Sequence, residues 1–76
     1  MGVMNIFAIV EADYASNIER LLMVSTDFKY TVDCLQEAYT DEAVLYLQVW
    51  RDNGIQKVFG YKGTLELLAD YEGDGE

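Results

Sequence analysis

The chain has 76 residues, fourteen acidic against five basic, for a formal net charge of -9, and it contains no histidine. At this length there is room for one core and no second domain, and a chain so short buries only about 60% of the surface its unfolded form exposes. The acidic balance, with a sequence pI near 4.1, disfavours direct contact with DNA, RNA or anionic lipid, because each needs a cationic surface to neutralise phosphates.

Met4 to Glu11 is an apolar run with Ile6, Ala8 and Val10 on one face and Phe7 and Ile9 on the other. Apolar on both sides, it reads as an inner strand. No Lys or Arg precedes it, and Glu11 and Asp13 follow too early for a signal peptide or membrane span. Ser16 and Glu19 then have the spacing of a capping box, and Ile18, Leu21 and Leu22 recur at helical intervals, which predicts a helix over 14–24. Phe28, Tyr30, Val32 and Cys34 alternate with Lys29, Thr31 and Asp33, the pattern of a half-buried strand. Val32, Leu35 and Tyr39 offer a competing helix over 31–39.

After a turn at 38–42, the segment 43–51 is rich in β-branched and aromatic residues and reads as the clearest strand. Asn53-Gly54 accepts the positive φ angles of a type I′ turn, so 55–61 is expected to return antiparallel. Counting back from a two-residue loop pairs Asp52 with Ile55, Val49 with Val58 and Tyr46 with Tyr61. That register places Tyr46, Trp50, Phe59 and Tyr61 on one face and Leu45, Leu47, Val49 and Val58 on the other. Gly63 and Thr64 end the strand, and Leu65, Leu67, Leu68 and Tyr71 suggest a short C-terminal helix. The predicted order is β-α-β-β-β-α: one α+β domain over 1–72, a four-stranded, mainly antiparallel sheet with helices on one face, and a flexible acidic tail over 73–76.

Without histidine, the usual general base and the commonest zinc ligand are missing. Cys34, the single cysteine, excludes an intrachain disulfide and a Cys-rich zinc site, fits a reducing cytoplasmic setting, and is expected to act as a small hydrophobe in the core. The stretch from Asp70 to Glu76 has the alternating oxygen ligands and glycine of an EF-hand opening, but not the closing bidentate glutamate, so no metal or other cofactor is expected. These absences point to binding rather than catalysis.

Two features are candidates for that binding. Acidic residues cluster at Glu37, Asp41 and Glu42 and again at Glu66, Asp70 and Glu72, with Glu11 and Asp13 as a third group. On the predicted C-terminal helix Glu66 and Asp70 lie one turn apart, where like charges repel, so folding stability alone would not select them. Spaced carboxylates imitate a phosphate backbone and would suit a basic, nucleic-acid-binding protein as partner, with no direct contact to nucleic acid. The second feature is the expected aromatic face of Tyr46, Trp50, Phe59 and Tyr61, an apolar patch suited to a partner or to a homodimer.

In size, acidity, lack of histidine and proline and compact α+β pattern, the chain resembles the small inhibitors that bacteriophages encode against host nucleic-acid-processing or defence machinery, such as anti-CRISPR proteins and DNA mimics. The resemblance is one of overall character and rests on no diagnostic motif. It implies an inhibitor that uses its carboxylates to occupy a basic site.

Overall fold

A computed structural model describes residues 4–13, 15–51 and 54–71. Strand β1 (Ile6–Asp13) is followed by β2 (Ile18–Ser25), helix α1 (Phe28–Ala38), β3 (Val44–Arg51), β4 (Gly54–Tyr61) and β5 (Leu65–Asp70). The strands form one five-stranded sheet in the order β2-β1-β3-β4-β5, with every neighbouring pair antiparallel. The molecule is therefore mostly sheet, with one helix laid over β1 and β2.

This corrects the expected four-stranded sheet with helices and the order β-α-β-β-β-α. The predicted helix over 14–24 is instead strand β2. Its apolar residues Ile18, Leu21 and Leu22 fit a helix stripe, but Met23 and Val24 continue the run with no polar face between them, and the segment pairs along β1 from Phe7↔Ser25 to Asp13↔Ile18. Asn17 takes a left-handed φ of 59° in the turn, a conformation asparagine tolerates better than most residues. Ser16 therefore belongs to a turn and not to a helix cap.

The predicted strand over 28–34 is helix α1, so the competing helix over 31–39 has the right type and the wrong limits. Asp27 decides it. Its Oδ1 accepts from the Tyr30 N–H at 3.1 Å, and its carbonyl accepts from the Thr31 N–H at 3.0 Å and the Thr31 hydroxyl at 2.7 Å. A cap of this kind contributes about 0.5–2 kcal/mol. Thr31 and Leu35, one turn apart, are then the buried side chains of the helix.

The predicted C-terminal helix is strand β5, which pairs with β4 from Tyr61↔Leu65 to Lys57↔Asp70. A leucine-rich segment beside an open sheet edge satisfies its backbone groups by pairing and gives β4 a second neighbour. The remaining acidic tail lies outside the described residues.

The β3–β4 hairpin is antiparallel as expected, but its register differs. Arg51 pairs with Gly54, a bulge follows between Val49 and Trp50, and Leu45 faces Tyr61 while Tyr46 faces Gly60. The shift of one residue turns β4 over. Gly54 has a φ of 117°, a glycine conformation; Asp52 and Asn53 lie outside the described residues.

The core sits between α1 and one sheet face. Phe7 and Ile9 from β1, Leu45, Leu47 and Val49 from β3, Tyr61 from β4 and Leu35 from α1 form it, with Cys34 and Tyr39 packed against them. Two edge-on aromatic pairs close its ends, Phe7 with Phe28 at 5.3 Å and Tyr39 with Tyr61 at 5.5 Å between ring centroids. Among the described residues, no helix is long and apolar enough to cross a membrane.

Candidate functional site

Alternation along β1 sends Phe7 and Ile9 to the helix side and Ile6, Ala8, Val10 and Ala12 to the opposite face. The ladders extend that second face across the sheet. Trp50 stands beside Ile6, Gln48 beside Ala8 and Tyr46 beside Val10, while Val24 and Leu21 flank Ala8 and Val10 from β2. On β4 the same rows carry Val58 and Gly60. Leu68 reaches over from the bulged β5, where its Cδ1 lies 3.2 Å from the position a Cβ on Gly60 would take.

No described element crosses this face. Ala8, Val10 and Ala12 are nonetheless buried, because they are short and the neighbouring columns are tall. Leu21, Val24 and Leu68 are more than half exposed and Trp50 is 37% exposed. A groove of about 360 Å³ runs between the tall columns, lined by Ile6, Ala8, Leu21, Val24, Gln48 and Trp50, with Arg51 at one end. The Trp50 indole N–H donates to Gln48 Oε1 at 3.0 Å, so these two polar groups of the face are partnered with each other. Bare aliphatic surface of this extent on a small domain marks a contact site.

The aromatic quartet expected from sequence is thus divided. Tyr46 and Trp50 lie on the uncovered face, whereas Phe59 and Tyr61 lie on the helix side, Tyr61 within the core. On β4 their places are taken by Val58 and Gly60, and Leu21, Val24 and Leu68 join the face from the outer strands. Sequence reading missed these because it assigned their segments to helices.

The acidic groups are also redistributed. Glu11, Asp13 and Glu42 line one open cleft of about 560 Å³ at an end of the sheet, together with Ser16 and Arg20. Asp41 precedes Glu42 in the turn, and Glu37 lies in the last turn of α1. Of the Glu37, Asp41 and Glu42 cluster, Glu42 therefore meets Glu11 and Asp13 at this cleft, and Glu37 and Asp41 do not line it. Arg20 offsets part of this charge through its ion pair with Glu11 at 2.6 Å, and that pairing holds the guanidinium more firmly protonated than usual. Glu66 and Asp70 do not form a joint patch. They lie opposite Gly60 and Lys57, three residues or about 10 Å apart on β4 at the usual rise, and the β5 bulge between them turns the two carboxylates to opposite faces of the sheet. Glu72 lies outside the described residues.

Asp13 has a local structural role. Hydrogen bonding from Ser16, then from the Ala15 N–H at 3.0 Å, lowers its pKa below the ordinary value of 3.8. A depressed carboxyl contributes stability above its unfolded pKa and loses it as pH falls through the lower folded value. The Ala15 amide resonance is therefore expected to titrate below pH 3.8 and to become flat in Asp13→Asn. A midpoint at or above the ordinary carboxyl value would contradict the turn geometry.

Cys34 is half-buried against the core, and its hydrogen bond with Tyr30 raises the phenol's pKa. Among the described residues, no three Cys, Asp or Glu side chains are grouped to hold a metal ion. No known protein family, curated protein or solved structure matches this chain.

Proposed function

We propose that this protein is a binding module without chemistry of its own, and that the uncovered sheet face is the surface through which it engages another polypeptide. The observation that carries this reading is the uncovered face on which Leu21, Val24, Ile6, Trp50, Tyr46 and Leu68 surround Gln48, with Glu66 at its β5 side. Trp and Tyr set among aliphatic neighbours are the composition from which binding hot spots are drawn. A reducing cytoplasm is the setting we propose, on the strength of one unpaired cysteine.

A second reading is supported by the meeting of Glu11, Asp13 and Glu42 at one cleft. In it the protein is an acidic inhibitor that covers the basic site of a nucleic-acid-binding or defence protein, as the overall resemblance to phage inhibitors implies. Asp41, Glu42 and Glu37 would then carry the contact. The two readings separate by salt, because an acid-driven contact weakens with ionic strength and an apolar one persists or tightens.

The test is a tagged pull-down from bacterial lysate with the wild type, Trp50→Ala and the triple variant Glu37→Gln, Asp41→Asn, Glu42→Gln. The sheet-face reading expects a catch that survives high salt and falls by about 2 kcal/mol or more in affinity with Trp50→Ala. A catch released by salt and by excess DNA, lost with the triple variant and indifferent to Trp50→Ala, replaces it with the acidic-inhibitor reading.

A further inference from the structure

We infer that the groove beside Trp50 takes the C-terminal end of a partner polypeptide, with an apolar last side chain in the groove and the free carboxylate turned to Gln48 and Arg51. This rests on the sheet-face reading and names the part of the partner that the face holds.

The argument starts at the bond between Trp50 and Gln48. An indole N–H only donates, so it fixes which way the Gln48 amide turns: Oε1 lies toward the ring at 3.0 Å and Nε2 points away from it. Among the described residues nothing accepts from that Nε2. Two N–H donors therefore stand on a half-buried side chain in the lining of the groove, while the amide oxygen is already engaged.

Arg51 adds charge of the matching sense. Its Nε donates to Asn5 Oδ1 at 2.8 Å, which anchors the side chain, and among the described residues of the lining it is the only charged one. A guanidinium carries donors and no acceptor. The polar part of the lining is thus built to give hydrogen bonds and not to receive them, so a complementary ligand brings acceptor oxygens, and a carboxylate binds such donors more strongly than a neutral carbonyl does.

The rest of the groove is apolar. Ala8 is short and buried, and Ile6, Leu21, Val24 and the Trp50 ring rise around it. Its volume of about 360 Å³ lies at the small end of ligand sites, about 300–1,000 Å³, which suits one or two side chains and not a docked helix. An apolar side chain next to a carboxylate is what the last residue of a polypeptide presents. An internal segment would run on past the groove and bring N–H groups for which the lining has no open acceptor. Residues upstream of a chain end have Tyr46 and Leu68 to lie on, since the uncovered face continues beyond the groove.

The net charge of -9 acts elsewhere. The acidic strand residues on this face are Glu19, in the row of Ala12, and Glu66, in the row of Gly60 and Tyr46. Tyr46 is about 13 Å along β3 from Trp50 at the usual rise, beyond the screening length of about 8 Å at physiological ionic strength.

Trp50 is the only tryptophan of the chain, so its fluorescence reads the groove directly. The probes are the peptide acetyl-Gly-Ala-Val-Leu with a free carboxylate, the same peptide as its C-terminal amide, and octanoate. We expect a saturable shift with the free acid and binding about tenfold or more weaker with the amide. Gln48→Glu keeps an acceptor for the Trp50 N–H but replaces the two donors with a carboxylate, and should weaken the acid about tenfold or more; Arg51→Gln should weaken it about fivefold or more. Circular dichroism confirms the fold of both variants, and the comparison of acid with amide needs wild type alone.

An amide that binds as tightly as the acid overturns the proposal, as does the absence of any shift with the acid up to about 5 mM. Octanoate that binds as tightly as the peptide also overturns it, because the groove would then take a free aliphatic carboxylate and not a chain end. If the peptide fails while Trp50→Ala still abolishes capture of a protein from lysate, the sheet-face function stands without the chain-end site; if Trp50→Ala changes nothing there, both fall.

Discussion

Replacing Leu47 by alanine is expected to destabilise the protein by about 2–5 kcal/mol. Leu47 is fully buried in the central strand, opposite Ile9 on β1 and Phe59 on β4. All three side chains point to the helix side, so truncation leaves a void that helix and sheet must both collapse to fill. Domain stability of roughly 0.05–0.15 kcal/mol per residue gives this chain about 4–11 kcal/mol, so the loss runs from about a fifth of the stability to all of it. Urea unfolding measures the change directly. The control is Leu68→Ala, whose side chain is half exposed and should shift stability by no more than about 0.5 kcal/mol. A loss below about 1 kcal/mol at Leu47 would show that the core is centred elsewhere.

Leu35→Ala should cost a similar amount, about 2–5 kcal/mol, by a different route. Leu35 is the fully buried apolar anchor of α1, with Thr31 its buried companion one turn earlier. An eleven-residue helix is too short to persist alone in water and depends on docking. Acidic residues worsen its position, because Glu37 lies in the last turn and no basic residue there offsets the dipole. The variant is therefore expected to lose helical circular dichroism together with global stability in one transition. Helical signal that outlasts the loss of Leu35, with unchanged unfolding, would mean the helix is held by its cap and Phe28 instead.

Glu37 bears on the function as well. A carboxylate at a helix C-terminus beside Asp41 and Glu42 is unfavourable for folding, and Glu42 turns toward the cleft that Glu11 and Asp13 line.

Much of this was legible from residues alone. The two-sided apolar run at β1, the β3–β4 hairpin and the lack of residues for common catalysis follow from alternation, a turn dipeptide and composition. These signals are local: each strand has inner neighbours on both sides, so its pattern reports its own burial. Three segments behaved otherwise. Residues 18–25 and 65–70 are outer strands with exposed leucines, and an apolar run exposed on an edge carries no clean period of two. Residues 28–38 alternate like a strand, yet the Asp27 cap and the docking of Leu35 make them a helix.

The division of the candidate site follows the same line. Composition and the order of residue types by themselves determined that this is a small acidic domain with Trp50 and Tyr46 on one face of a strand. Which other side chains join them was decided only in three dimensions, where a bulge beside Trp50 shifts β4 by one residue. Side chains in a strand repeat every two residues, so a shift of one exchanges the faces completely. It sent Phe59 and Tyr61 under the helix and left the outer face to the leucines and valine of the edge strands.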